Sequence, residues 1–182
     1  MRCRAILIFG LSLVWLLLAG GAAHAQDGQP SEYQIKAAFI YNFAKFVQWP
    51  AKSLPPDDSP LVIGILGENP FHDDLNHIVS GKKVDEHPLV IKPVRTALEA
   101  TNCHTLFISA SEKPRLPVIL KDLKGTSVLT VSEMDGFTEA GGMINFVREG
   151  TKVRFRINNE AAAKEGLKVS SKLLMLALRP AN

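Results

Sequence analysis

Apolar and polar positions alternate along the chain in blocks that predict strands and helices in turn. From residue 61 onward, short and almost wholly apolar runs are bounded by turn residues, as expected of parallel strands covered on both faces. The segments between them carry helix start and stop signals, such as Asn69-Pro70 and Gly125. This spacing favours βαβ units around an open parallel sheet. The predicted strands are residues 61–67, 88–94, 105–109 and 127–131, and the predicted helical segments are 70–79, 96–100, 116–123 and 136–140.

The end of the pattern predicts an antiparallel hairpin at one edge of that sheet. Residues 143–147 and 152–157 are β-like runs joined by a turn at Glu149-Gly150. The second run alternates apolar residues with basic ones, which favours a protected edge strand over an anion site. Two short capped helices follow, starting near Asn158 and Ser170. We therefore predict a single α/β domain: a mostly parallel sheet with helices on both faces and an antiparallel edge hairpin.

The segment from Ser31 to Pro50 predicts a helix with more apolar surface than one core contact needs. Ser31 and Gln34 match a capping box, and Pro50 stops the helix. Its apolar side chains span roughly 180° of the helical wheel, whereas a surface helix on one core commonly shows a stripe of roughly 100° or more. Lys36 falls inside this arc.

Two interpretations of this wide apolar arc are open. The whole arc packs inside the domain and Lys36 extends to water, or the helix also builds a dimer or partner interface. In the second case Trp49 is a candidate anchor, because aromatic residues are over-represented among interface hot spots. The candidate interface residues are Lys36, Phe39, Ile40, Phe43 and Trp49.

The first 25 residues have the pattern of a cleaved secretory signal peptide. Arg2 and Arg4 precede an apolar run at residues 5–18, and Ala23-His24-Ala25 offers a cleavage site. The run is shorter than the roughly 20 residues that a membrane span needs. We expect a periplasmic or secreted protein that is not inserted in the membrane after cleavage. The predicted organisation is a signal peptide at 1–25, a flexible leader at 26–30 and the α/β domain at 31–182.

Net charge limits the classes of binding partner that the sequence predicts, and the cysteine content limits its disulfide bonds. Loss of Arg2 and Arg4 with the signal lowers the net charge from +3 to about +1, so nucleic acid is not a predicted partner. Cys103 is then the only cysteine, which precludes an internal disulfide. It is interpreted as a buried, inert thiol or, alternatively, as a residue for an intermolecular disulfide.

No catalytic, metal or cofactor site is predicted. The sequence lacks a Gly-x-Ser-x-Gly elbow, a dinucleotide-binding glycine pattern and a phosphate-binding loop. Among His72, Asp73, Asp74 and His77, only Asp73 and His77 have the spacing of two ligands on one helical face, and two ligands make a weak site. A charged, solvated helix face is the favoured interpretation.

The fold itself predicts one place for a small ligand. Open α/β sheets bind ligands at the carboxyl ends of their strands. The loop after the first predicted strand occupies such an end and opens a helix. The candidate pocket residues are Gly67, Glu68, Asn69 and Phe71.

Several segments resemble the YfiR-like family of periplasmic proteins. The main one is residues 36–46, KAAFIYNFAKF, followed by Trp49-Pro50, and further matching pieces include Gly141-Gly142-Met143-Ile144 and Phe155-Arg156-Ile157-Asn158. The resemblance covers nearly the whole chain after the signal. It implies a regulator, not an enzyme, and provides no catalytic residues.

What the resemblance implies is control of a membrane enzyme by protein binding. Its best understood members bind the periplasmic sensor domain of an inner-membrane diguanylate cyclase, hold it inactive, and so lower cyclic di-GMP and restrain biofilm formation. A homodimer is implied, whereas control through an internal disulfide is not expected with Cys103 alone. The alternatives are a periplasmic small-ligand-binding protein and a regulator of a membrane histidine kinase.

Overall fold

The computed structural model describes residues 29–178, except 55, 57 and 58. The predicted signal peptide and residues 26–28 of the predicted leader lie outside this range. The helices of the described part are α1 (Glu32–Phe46), α2 (Asp74–Val79), α3 (Ala97–Ala100), α4 (Leu116–Asp122), α5 (Asn159–Lys164) and α6 (Ser171–Leu176), with 3-10 turns at Ala51–Ser53 and Ala110–Arg115. The strands are β1 (Val47–Gln48), β2 (Leu61–Leu66), β3 (Lys83–Val84), β4 (His87–Val94), β5 (Thr105–Ile108), β6 (Leu129–Ser132), β7 (Ile144–Glu149), β8 (Lys152–Ile157) and β9 (Lys168–Val169).

Seven of these strands form one mostly parallel sheet in the order β3-β4-β2-β5-β6-β7-β8. The five strands from β4 to β7 run parallel, whereas β3 pairs antiparallel with β4 and β8 pairs antiparallel with β7. All four residues of β5 are buried, because helices cover both of its faces. The predicted fold class and the edge hairpin are confirmed.

Alternate residues of the central strands point into two separate cores. Phe107 of β5 belongs to a core that also holds Phe43 of α1 and Leu173 of α6. Its neighbour Leu106 belongs to a second core with Ile119 of α4. Helices α1, α2 and α6 therefore cover one face of the sheet, and α3 and α4 cover the other.

The structure corrects the predicted end of the first helix. Helix α1 ends at Phe46, not at Pro50, and Val47 is already extended. Val47 and Gln48 pair antiparallel with Val169 and Lys168, so the backbone groups after Phe46 bond to β9. Pro50 contributes as well, because the residue before a proline is disfavoured in the helical region.

Two further helical segments differ from the prediction. Helix α2 starts at Asp74, because Asn69 accepts a hydrogen bond from the Phe71 N–H at 3.0 Å and residues 70–73 form turns instead of a first helical turn. Residues 136–140 form a turn without a helix. Within the described range, none of the helices has the length and apolar character to cross a membrane.

Candidate functional site

Helix α1 is fixed at its start by the predicted capping box. The Ser31 Oγ accepts from the Gln34 N–H at 3.1 Å, and the Gln34 Oε1 accepts from the Ser31 N–H at 3.0 Å. Along the inner side of the helix, Ile40 and Phe43 are fully buried. The Phe43 ring lies 5.0 Å from Phe155 and 5.6 Å from Phe146, measured between centroids. The inner half of the apolar arc is therefore core of this domain.

The outer flank of the same arc lines a groove between α1 and α2. Ile35, Ala38 and Phe39 are half-buried and face Ile78 of α2 across a volume of about 500 Å³. Asp74 also lines this volume, and its Oδ1 accepts from Gln34 Nε2 at 3.2 Å. We call this surface the α1–α2 groove. Its lining residues are Pro30, Gln34, Ile35, Ala38, Phe39, Asn42, Asp74, His77 and Ile78.

Lys36 lies in a buried charge cluster within the domain. Only 4% of the residue is exposed, and its ammonium lies 2.5 Å from carboxylate oxygens of both Glu32 and Glu133. The same ammonium lies 4.6 Å above the Tyr33 ring centroid, and the Tyr33 hydroxyl donates to Glu133 at 3.4 Å. Burial alone would lower the pKa of Lys36, but the hydrogen bonds to Glu133 and Glu32 outweigh it and raise that pKa. Lys36 thus fastens the start of α1 to the loop after β6.

Trp49 is buried against His104 at the entry to β5. Its indole Nε1 donates to the His104 carbonyl at 3.1 Å, and the two rings meet edge to face at 6.2 Å. The His104 Nδ1 accepts from the Val62 N–H at 3.0 Å. Burial lowers the pKa of His104, a hydrogen bond to the Ser53 backbone opposes this, and nearby His87 adds to it. Sequence reasoning gave no role to His104; its only local signal is a polar ring directly before a buried strand.

The predicted interface residues thus occupy different environments. Phe39 reaches the α1–α2 groove, whereas Ile40, Phe43 and Trp49 are buried in the core and Lys36 is held by the domain's own acids. Their part in an interface stays a prediction. Sequence reasoning did not select Ala38 and Ile78, because the groove needs the position of α2 beside α1.

The loop that carries the predicted ligand residues follows β2, as the fold rule requires, but side chains from the 3-10 turn after β5 fill the space above Gly67. The loop after β2 leads to α2 on one face, and the loop after β5 leads to α4 on the other, which is the topological switch point of such sheets. A Cβ at Gly67 would lie 2.4 Å from Ser111 Oγ, and Phe71 is fully buried. Glu68 and Asn69 are exposed. A ligand at Gly67, Glu68, Asn69 and Phe71 stays a prediction.

The described residues were also examined for metal ligands and for a reactive thiol. Among the described residues, no group of three or more His, Cys, Asp or Glu side chains is placed to hold a metal ion. Cys103 is 5% exposed and unpaired within the described chain, and burial raises the pKa of its thiol to about 11, with nearby Lys92 opposing. The neutral thiol is the inert form.

Comparison with known proteins gives one family and a set of distant folds. The model of the YfiR/HmsC-like family matches residues 33–178. A conserved domain protein from Vibrio cholerae O1 biovar El Tor aligns with a TM-score of 0.56 at 10% identity, over 81% of this chain. The ABC domain in complex with L-Trp from Streptococcus pneumonia aligns with a TM-score of 0.50 at 11% identity, over 80% of this chain. This chain spans 59% of each structure, and both show a likeness of fold alone.

Proposed function

Because the chain belongs to the YfiR/HmsC-like family, we propose that it binds and represses the periplasmic sensor domain of an inner-membrane diguanylate cyclase. Proteins of this family are periplasmic regulators, and they act on membrane sensors rather than as enzymes. Repression by binding lowers cyclic di-GMP without any catalytic step in this chain. The proposal needs a docking surface and no reactive group.

The α1–α2 groove is the observation that supports the proposal best. Its floor is apolar and half-buried, whereas Ile40, Phe43 and Ala44 of the same arc are buried in the domain core. A groove between two helices suits an amphipathic segment that inserts apolar side chains spaced by three and four residues. Ala38 has the smallest side chain in the floor, so it permits the closest approach of a partner backbone. The buried residues Ile40 and Phe43 act indirectly, because they hold α1 in place.

The groove is tested by Ala38→Arg in the purified exported protein. An arginine on the floor fills the volume that a partner side chain would occupy, and its guanidinium still reaches water. We expect at least a tenfold weaker affinity for the purified sensor domain, measured by calorimetric titration. The matched control is Leu98→Arg, because Leu98 is 79% exposed on α3, on the opposite face of the sheet.

The docking surface and the control of a cyclase are tested by separate experiments. Equal affinity of the Ala38→Arg variant and the parent protein would place docking elsewhere on the molecule. Deletion of the gene with no change in cellular cyclic di-GMP would refute control of a cyclase, and a kinase partner would then be tested by its phosphorylation state. The homodimer that the family resemblance implies is tested independently by light scattering after size-exclusion chromatography.

A further inference from the structure

A cavity opens at the carboxyl edge of the sheet, where β6 and β7 separate. Strand β6 ends at Ser132, which pairs with Asn145, whereas β7 continues to Glu149. The space between the end of β7, the loop after β6 and the first turn of α1 has a volume of about 470 Å³, and we call it the β6–β7 cavity. Open α/β sheets bind ligands outside the carboxyl ends of their strands, and this volume suits a small molecule.

Charged side chains of both signs line the β6–β7 cavity. The cations are Lys36, Arg148 and Arg156, and the acids are Glu32, Glu133, Asp135 and Glu149. Part of this set is engaged within the domain, because the Lys36 ammonium is held by Glu32 and Glu133. Arg148 lies 3.6 Å from a carboxylate oxygen of Glu32. These ion pairs give the cavity a wall that is already ordered before any ligand binds.

Arg156 contributes a buried hydrogen-bond donor to the same cavity. Its Nε atom is buried and has no hydrogen-bond partner in the described part of the chain. Buried polar groups in folded proteins are nearly always hydrogen-bonded, so this N–H calls for an acceptor from outside the domain. The planar guanidinium fork matches the oxygen atoms of a carboxylate or a phosphate group. Arg156 therefore indicates a ligand with one of these anionic groups.

The acids of the β6–β7 cavity disfavour a ligand that carries negative charge alone. The lining residues include four carboxylates and three cations, so an added anion meets a surplus of negative charge. Asp135 and Glu149 are exposed at the cavity, and their carboxylates can receive a positive group of the ligand. The apolar side chains of Phe146 and Val147 supply the remaining contact surface. The lining thus suits a molecule with both charges.

We propose that the β6–β7 cavity binds a small dipolar ion that carries one ammonium group and one carboxylate or phosphate group. The anionic group accepts from Arg156, and the ammonium group lies against Asp135 and Glu149. This site is separate from the loop at Gly67. It does not depend on whether the α1–α2 groove binds a sensor.

Calorimetric titration of the purified exported protein with matched probes tests this site. L-leucine is compared with 4-methylpentanoate, which lacks the ammonium group, and with 3-methylbutylamine, which lacks the carboxylate. O-phosphoethanolamine is compared in the same way with ethyl phosphate and ethylamine. We expect at least one dipolar probe to bind about tenfold more tightly than both of its analogues, and the probe that binds distinguishes a carboxylate ligand from a phosphate ligand. No binding of either dipolar probe at millimolar concentration would overturn the proposal.

Two variants assign the two charged groups of the ligand to their residues. Arg156→Gln should remove the preference for the dipolar probe over its amine analogue, because the anionic group loses its donor. Asp135→Asn should weaken the dipolar probe about tenfold and leave its ammonium-free analogue unaffected. The matched control is Arg154→Gln, which makes the same charge change on β8 outside the cavity lining and should bind like the parent protein.

The outcome of these titrations decides the proposal. Unchanged preferences in both Arg156→Gln and Asp135→Asn would overturn it, as would an equal loss of binding in Arg154→Gln. If Arg156→Gln does not fold, Asp135→Asn decides alone, because that side chain is exposed and its replacement leaves the core intact.

Discussion

The charge cluster around Lys36 gives a quantitative test of how α1 is held. Lys36→Met keeps an unbranched side chain of similar length and removes the ammonium. Glu133, whose side chain is 18% exposed, then loses its cation, whereas Glu32 keeps Arg148 at 3.6 Å. Removing one partner of a fully buried pair costs about 3–5 kcal/mol, and exposed pairs contribute about 0–1 kcal/mol. The acids are part-exposed, so we expect a loss of about 2–3 kcal/mol in the free energy of unfolding.

Urea denaturation at pH 7 measures this loss, provided that the denaturant slope is unchanged. The matched control is Lys45→Met near the other end of α1, where the side chain is exposed and only lies over the Phe46 ring at 5.9 Å. Its stability should stay within about 0.5 kcal/mol of the parent protein. Adding Glu133→Gln to Lys36→Met should recover about 1–2 kcal/mol, because the uncompensated carboxylate is removed.

The pH dependence of the stability loss in Lys36→Met follows from the shifted pKa values of Glu32 and Lys36. The hydrogen bond to Lys36 lowers the pKa of Glu32, so its contribution is present above its ordinary 4.5 and is lost as the pH falls through the folded-state pKa. The pKa of Lys36 is raised, so its contribution is present below its ordinary 10.5 and is lost as the pH rises through the folded-state value. The difference between parent and variant should therefore be largest between these limits. A variant as stable as the parent at pH 7 would refute the buried cluster.

Three further predictions concern the packing at Gly142, the helix cap at Asn158 and the buried thiol of Cys103. Gly142→Ala should lower stability by about 1–3 kcal/mol in urea, because the new Cβ would lie 2.2 Å from the ring of the fully buried Phe137; no loss would contradict this packing. Asn158→Ala should cost about 1 kcal/mol by the same assay, since its Oδ1 caps α5 at the Ala161 N–H. Cys103 should resist a thiol reagent at pH 8 until the protein unfolds, because its pKa is about 11 and it is buried; rapid labelling of the native protein would contradict this.

Features that depend on neighbouring residues were predictable from the sequence. The capping box at Ser31 and Gln34 set the start of α1 correctly, because both partners lie in one turn. Short apolar runs such as residues 105–109 predicted buried parallel strands, because two covered faces require apolar residues at every position. The hairpin at residues 144–157 followed from its local alternation and turn.

Features that depend on distant residues were not predictable in this way. The end of α1 is set by the pairing of Val47 with Val169, and no pattern near Pro50 encodes that contact. Lys36 stood out on the helical wheel, but its acid Glu133 lies 97 residues away. A fold rule pointed to the loop at Gly67, yet the side chain of Ser111 that fills the space above it belongs to the 3-10 turn after β5. Sequence thus identified unusual residues, and the topology supplied their partners.

The packing of α1 on the sheet has a consequence for the order in which the protein can fold. Helix α1 is the first described element to be synthesised, but the rings that cover Phe43 come from Phe146 and Phe155 in the hairpin, and Leu173 joins the same core near the end of the chain. Contacts of such high sequence separation slow folding, and the apolar surface that waits for them is prone to aggregate. A chain that stops before β8 therefore leaves Phe43 without the Phe155 ring and without Leu173 in its core, so part of the apolar face of α1 stays exposed to a holding chaperone.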